Sequence, residues 1–300
     1  MKSRVFLYIS LLTDVSIAVA KFVAAAFTGS SSMISEGIHS VIDAVSQVML
    51  IWGVKVSKRR PDIDHPFGYG RELYFWSFIV SLVIFILGGC ISVWEGYTRL
   101  HRPGFEGNAN WNYAILAFAF VFNFISMLSA LRAFNEQRNK IGLGFWKALI
   151  RTKDPSTIIV LLGDIGDLIG LVIAFIGIFI GRLLHNPYYD GIASMLIGVV
   201  LIVISAFLIR ESKSLLMGES IHPKKIKMII ALVEQDKNII TVKKHFSIYR
   251  SPDDIMLQMN TVFKANLNTH QITDTIERIT KTIRSEFPLI KQLVIEPVAK

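Results

Sequence analysis

The sequence predicts a multi-pass α-helical membrane protein: six transmembrane helices followed by a C-terminal α+β domain on the cytoplasmic side. Three observations carry this expectation. The 300 residues are 52% hydrophobic and only 18% charged, below the roughly 25% charge usual in soluble domains. The apolar residues gather into runs that reach the about 20 residues needed to cross a hydrocarbon core. After about residue 210 the long runs end, and shorter periodic patterns with frequent charges replace them. The expected division is therefore 1–210 for the six membrane-spanning helices and 211–300 for a cytoplasmic domain.

The six spans are read at about residues 6–27, 33–54, 73–95, 113–131, 157–180 and 191–209. Their connections differ in charge. The first, Thr28 to Ser32, carries none, and the fifth has only Arg182. The second holds Lys55, Lys58, Arg59, Arg60 and Arg71, and the fourth holds Arg132, Arg138, Lys140, Lys147, Arg151 and Lys153. The third has Arg99 and Arg102. Basic residues crowd the even-numbered loops, which assigns those loops and both termini to the cytoplasm. Tyr74, Phe75 and Trp76 fit an aromatic belt opening the third span, as does Trp111 before the fourth. The same bias accounts for the net charge of +9, so no nucleic-acid partner is expected. The first apolar run lacks a small-residue cleavage site and leads into a second span, so no cleavable signal peptide is expected. The single cysteine, Cys90, excludes an intrachain disulfide and a CxxC metal site, and reads as a small buried apolar residue.

Beyond the spans, residues 223–236 have a helical pattern, and 239–249 and 255–263 read as strands joined by a turn at Asp253 and Asp254. Residues 270–286 place Ile272, Ile276, Ile279 and Ile283 at helical spacing, and 289–296 form a last strand. The order αββαβ suits helices covering one face of a short sheet.

Ionisable residues inside a span are expensive, about +2.5 to +3.5 kcal/mol near the helix centre on insertion scales, and mark pathways. In SEGIHSVID, Glu36, His39 and Asp43 share one face of the second span; in LLGDIGDLIG, Asp164 and Asp167 share a face of the fifth. Carboxylates and imidazole are divalent-cation ligands, and two helices offering one or two each can build a four-coordinate site. The bland readings are a histidine bonded to a neighbouring helix, and a glutamate near the outer helix end that simply meets water. Asp14 in the first span fits a helix-packing group or a vestibule residue, and Lys21 can snorkel.

The stretches GSSSMISEGIHSVID, HPFGYGRELYFWSF and DPSTIIVLLGDIGDLIGLVIA resemble the cation diffusion facilitators, and the likeness extends over nearly the whole chain. It implies a homodimeric exporter of divalent metal, zinc first, in exchange for protons, lying in the cell membrane. It also implies a ferredoxin-like fold for the αββαβ domain, with a dimerising and regulatory role. No prosthetic group is implied; the metal and the protons are cargo. The family's central site pairs two ligands on the second span with two on the fifth. The resemblance assigns His39, Asp43 and Asp164 to it. Counting back from Gly170, the remaining position falls on Val160, which cannot bind metal. Asp167, Glu36 or water is then the fourth donor, and iron, cobalt, cadmium and manganese stay open beside zinc. Two peripheral family sites match in part: Asp62 and His65 in the second loop, where Tyr69 stands at a place some members give to histidine, and His245 and Glu296 in the α+β domain.

Rival readings use the same residues differently. An intramembrane metalloenzyme would use them to activate water, but the chain offers ExxH at Glu36 and His39 rather than HExxH, and no enzyme is expected. A membrane metal sensor would bind without flux, and a channel would pass metal without moving protons.

Overall fold

The computed structural model describes residues 5–28, 31–101, 109–142, 144–186 and 188–299, and their side chains except at 28, 31–36, 109–112 and 140–141. The chain divides into two compact units: Met1–Arg59 with Glu72–Lys213, and Arg60–Arg71 with Ser214–Lys300. The second loop thus groups with the C-terminal unit rather than with the helices it joins.

Six helices of the first unit are long and apolar enough to cross a membrane. They are α1 (Val5–Thr28), α2 (Ser31–Val56), a third span built from α3 (Glu72–Val83) and α4 (Ile91–His101), α5 (Ala109–Ile141), α7 (Pro155–Leu183) and α8 (Tyr188–Met217). Each outruns the apolar stretch read from the sequence, because polar and charged residues continue the helices past the apolar runs. Arg99, read as a loop residue, lies inside the third span, and Arg132 and Arg138 lie inside α5. The fourth connection holds an unforeseen short helix, α6 (Phe145–Arg151). Arg102 and the side chain of Trp111 fall outside the described residues.

The helices are anchored by local chemistry. Asp154 caps α7, its side chain accepting from the Ser156 N–H, with Pro155 in the first turn where no amide is needed. Between α3 and α4 the third span winds as a π-helix over Ile84–Cys90, an irregularity often found beside functional sites. The third span and α8 touch backbone to backbone. A Cβ on Gly96 would lie 2.7 Å from the Gly191 carbonyl oxygen, and one on Gly198 would lie 2.8 Å from that of Gly89. Only glycine permits this approach, the small-residue packing that holds helices together where lipid removes the hydrophobic drive. Outward apolar side chains such as Leu12, Phe27 and Val203 are exposed, as lipid-facing residues should be, and Cys90, expected to be buried, is exposed as well.

The second unit runs α9 (Pro223–Glu234), β1 (Ile239–Ser251), β2 (Asp254–Phe263), α10 (Thr269–Glu286), β3 (Ile290–Pro297). β2 is central, antiparallel to β1 across a tight turn and parallel to β3 after the α10 crossover, as a parallel pair requires. Alternation along β2 buries Ile255, Leu257, Met259 and Thr261, the period-2 face that the helices cover. Ile226, Ile229 and Val233 from α9 and Ile279 and Ile283 from α10 complete that core. Asn268 and Gln271 cap α10 reciprocally.

Candidate metal centre

Five helices close a ring: α1 packs on α2 and α5, α5 on α7, and α3 on both α7 and α2. Two cavities open between these helices together with α4 and α8, one of about 290 Å³ and one of about 40 Å³. Asp14, His39, Asp43 and Asp167 line both; Asp164 lines the smaller. His39 and Asp43 arrive together because they are one turn apart on α2, as are Asp164 and Asp167 on α7. The structure therefore brings four of the sequence-read residues to one place, from two helices, and adds Asp14 from a third.

Asp164 is only 3% exposed. Its Oδ2 accepts a 2.7 Å hydrogen bond from the Ser126 hydroxyl on α5, which fixes the carboxylate's orientation. Asp14, Asp43, Asp164 and Asp167 all line the smaller cavity, and Lys21 lines the larger. Negative charge concentrated where water is scarce is costly unless a cation or proton offsets it. Among the described residues, no three His, Cys, Asp or Glu side chains converge as tightly as a held metal ion requires. Val160 is 1% exposed within the apolar core beside Ile159 and Leu161, and lines neither cavity. The side chain of Glu36 lies outside the described residues.

Several site residues escaped the sequence reading. Asn123 and Ser126 sit three apart in the phenylalanine-rich run of α5, and both are buried. Their signal was there, two polar residues on one face of an apolar span, but neither carries charge. Gln47 extends the His39–Asp43 face by one more turn and lines the smaller cavity. Glu95, Arg99 and Asp190 line the larger cavity. There Arg99 donates to Asp190 and, at 3.0 Å, to Glu95, tying the third span to α8.

The peripheral candidates belong to the other unit. The Asp62 Oδ1 accepts from the His65 backbone N–H at 2.7 Å and lies 3.5 Å from its ring Nδ1. The Tyr69 hydroxyl donates to Oδ2 at 2.6 Å. These bonds, Tyr69 first, hold the exposed Asp62 carboxyl below the usual carboxylate range. The loop is seated on β1, with the Phe67 ring 5.6 Å from the Arg250 guanidinium. His245 stands opposite Met259 and Glu296 opposite Asn260. Adjacent rows of a sheet point to opposite faces, so within one chain His245 and Glu296 do not converge. Glu296 instead accepts from Gln258 at 3.2 Å.

Residues 7–217 match the family model for the cation efflux transmembrane domain. The mouse (Mus musculus) protein named proton-coupled zinc antiporter SLC30A9, mitochondrial, is 34% identical over 219 residues, 73% of this chain and 39% of that protein. The chain thus spans about two fifths of that relative's length. Metal tolerance protein C4 of Arabidopsis thaliana is 27% identical over 243 residues, 81% of this chain and 52% of that protein. The manganese efflux system protein MneP of Bacillus subtilis is 24% identical over 302 residues, 98% of this chain and 95% of that protein.

Proposed function

The chain belongs to the cation efflux, or cation diffusion facilitator, family, and on that premise we propose that it carries a divalent metal cation across a membrane in exchange for protons. One observation supports this reading most: His39, Asp43, Asp164 and Asp167 meet at cavities within a ring of membrane-length helices. Zinc is the first candidate, as the name of the mouse relative suggests, with manganese beside it from the Bacillus relative's name. We assign His39, Asp43, Asp164 and Asp167 as cation-binding residues, and Ser126 as the residue that positions Asp164.

To bind the cation, His39 must be neutral and the aspartates ionised. Imidazole changes charge near neutral pH, so protons arriving from the far side compete with the metal and release it. The protons then travel back on the same side chains. The open cavity narrows around the cation in one state and opens to the other side in the next, by rocking of helix groups. The even-numbered loops and the α+β unit lie on the cytoplasmic side in this reading, and residues 211–300 serve dimerisation and regulation in a homodimer of the cell membrane.

The test is uptake by proteoliposomes with a pH dye inside, across zinc, manganese, iron, cobalt and cadmium. Metal entry coupled to proton exit is expected. Binding without flux would make the protein a membrane metal sensor, and flux without proton movement would make it a channel.

A further inference from the structure

Asn123 is 6% exposed, and its Oδ1 accepts no hydrogen bond among the described residues. A buried carbonyl oxygen in that condition is unfavourable unless a partner completes it. Asn123 is among the residues that line the larger cavity, with Asp14, His39, Asp43 and Asp167. One turn further along α5, Ser126 already reaches the same centre through Asp164. Val160, meanwhile, lies in the apolar core and gives α7 no donor there.

An amide oxygen is a neutral, hard donor of the kind that binds divalent ions directly. We propose that Asn123 Oδ1 is a ligand of the transported cation, supplied by the fourth span, and that it biases the site toward ions that prefer oxygen. The inference rests on the cation-transport reading above. It makes the site a product of at least three helices, α2, α5 and α7, rather than two. The amide brings no charge and does not titrate near neutral pH, so protons that displace metal from His39 leave this donor unchanged. Carbonyl and carboxylate oxygens suit manganese, whereas imidazole suits zinc. Asn123 therefore matters more for the first ion than for the second.

Binding of Mn²⁺ and Zn²⁺ to the purified full chain, followed by calorimetry, tests this. Asn123→Ala is expected to weaken Mn²⁺ by about tenfold or more and Zn²⁺ by clearly less. Asn123→Asp restores an oxygen, so Mn²⁺ binding returns to at least its original strength at pH 8 and weakens more steeply than wild type as the pH falls. Equal losses for both ions that Asn123→Asp does not repair, or no change in either, overturn the assignment and leave Asn123 a packing residue. If Asn123→Ala proves unfolded by size exclusion, Asn123→Asp decides alone: loss of Mn²⁺ binding in a folded protein overturns the proposal. A folded wild-type chain that binds neither ion overturns the transport reading itself, and the ligand assignment with it.

Discussion

In the helical unit, Asp14, Asn123 and Asp164 are more than nine-tenths buried, whereas in the α+β unit His245 and Glu296 stand exposed on opposite faces of one sheet. The same residue types thus mean different things in the two places. An aspartate in a membrane helix has no water to retreat to, so it must have a use or a partner. A histidine on an open strand is solvated at little cost and needs neither. Chemistry in this chain is therefore to be sought at polar groups the fold keeps away from solvent, not at every potential ligand.

The most severe way to challenge this contrast is to remove a buried carboxylate. Asp43→Ala or Asp164→Ala is expected to abolish metal-driven proton movement in proteoliposomes while the protein stays monodisperse. Wild-type exchange in either variant would overturn the central assignment. Ser126→Ala is expected to act more gently, weakening metal binding by about tenfold to a hundredfold. The carboxylate remains but loses the 2.7 Å bond that orients it. Ser126→Thr keeps the hydroxyl and should recover most of the affinity, whereas a purely steric role for Ser126 would make threonine worse than alanine.

A smaller, local effect is expected in the other unit. Tyr69→Phe removes the largest of the interactions that hold the Asp62 carboxyl low, so its pKa should rise toward the ordinary carboxylate value in a carbon-detected NMR titration. The sign follows from linkage. A carboxyl held low in the fold favours the folded loop above its ordinary pKa, and that contribution disappears as the pH falls through the lowered value. The variant should therefore lose the loop's order at a higher pH than wild type. An unmoved titration would mean that the His65 amide alone sets Asp62.

Much of this was legible in the sequence, for a physical reason. Length and hydropathy alone reveal spans, because a bilayer has one thickness. Ionisable residues inside them stand out, and the one-turn spacing of His39 with Asp43 and of Asp164 with Asp167 already assigns each pair a face. The period-2 pattern of β2 and the isoleucine stripe of α10 likewise encode the sheet and its cover. Helix ends were less legible, since charged residues such as Arg99 and Arg138 prolong helices beyond their apolar runs. Nor could the chain announce that Asn123 lines a cavity and that Ser126 bonds to Asp164. A neutral amide or hydroxyl in a span is common and cheap enough to be mere packing, and only the tertiary arrangement of α5 against α1 and α7 gives those two a role. The seating of the second loop on β1 depends on a long-range contact between Phe67 and Arg250, for which local pattern holds no trace.

The smallest expected effect sharpens the contrast by its absence. His245→Ala and Glu296→Ala, singly or together, should leave both transport rate and metal ranking unchanged in proteoliposomes. His245 shares its row of the sheet with Met259, while Glu296 shares the next with Asn260, so a single ion could not bridge the pair without breaking the strand alternation. Glu296 is also engaged with Gln258 across β2 and β3, a contact whose loss on an exposed strand should cost the fold little. A marked fall in transport from the double variant, with the helical unit intact, would break the comparison. It would mean that these two residues find their partner in a second copy of the chain, and that the α+β unit governs the carrier through metal held between copies.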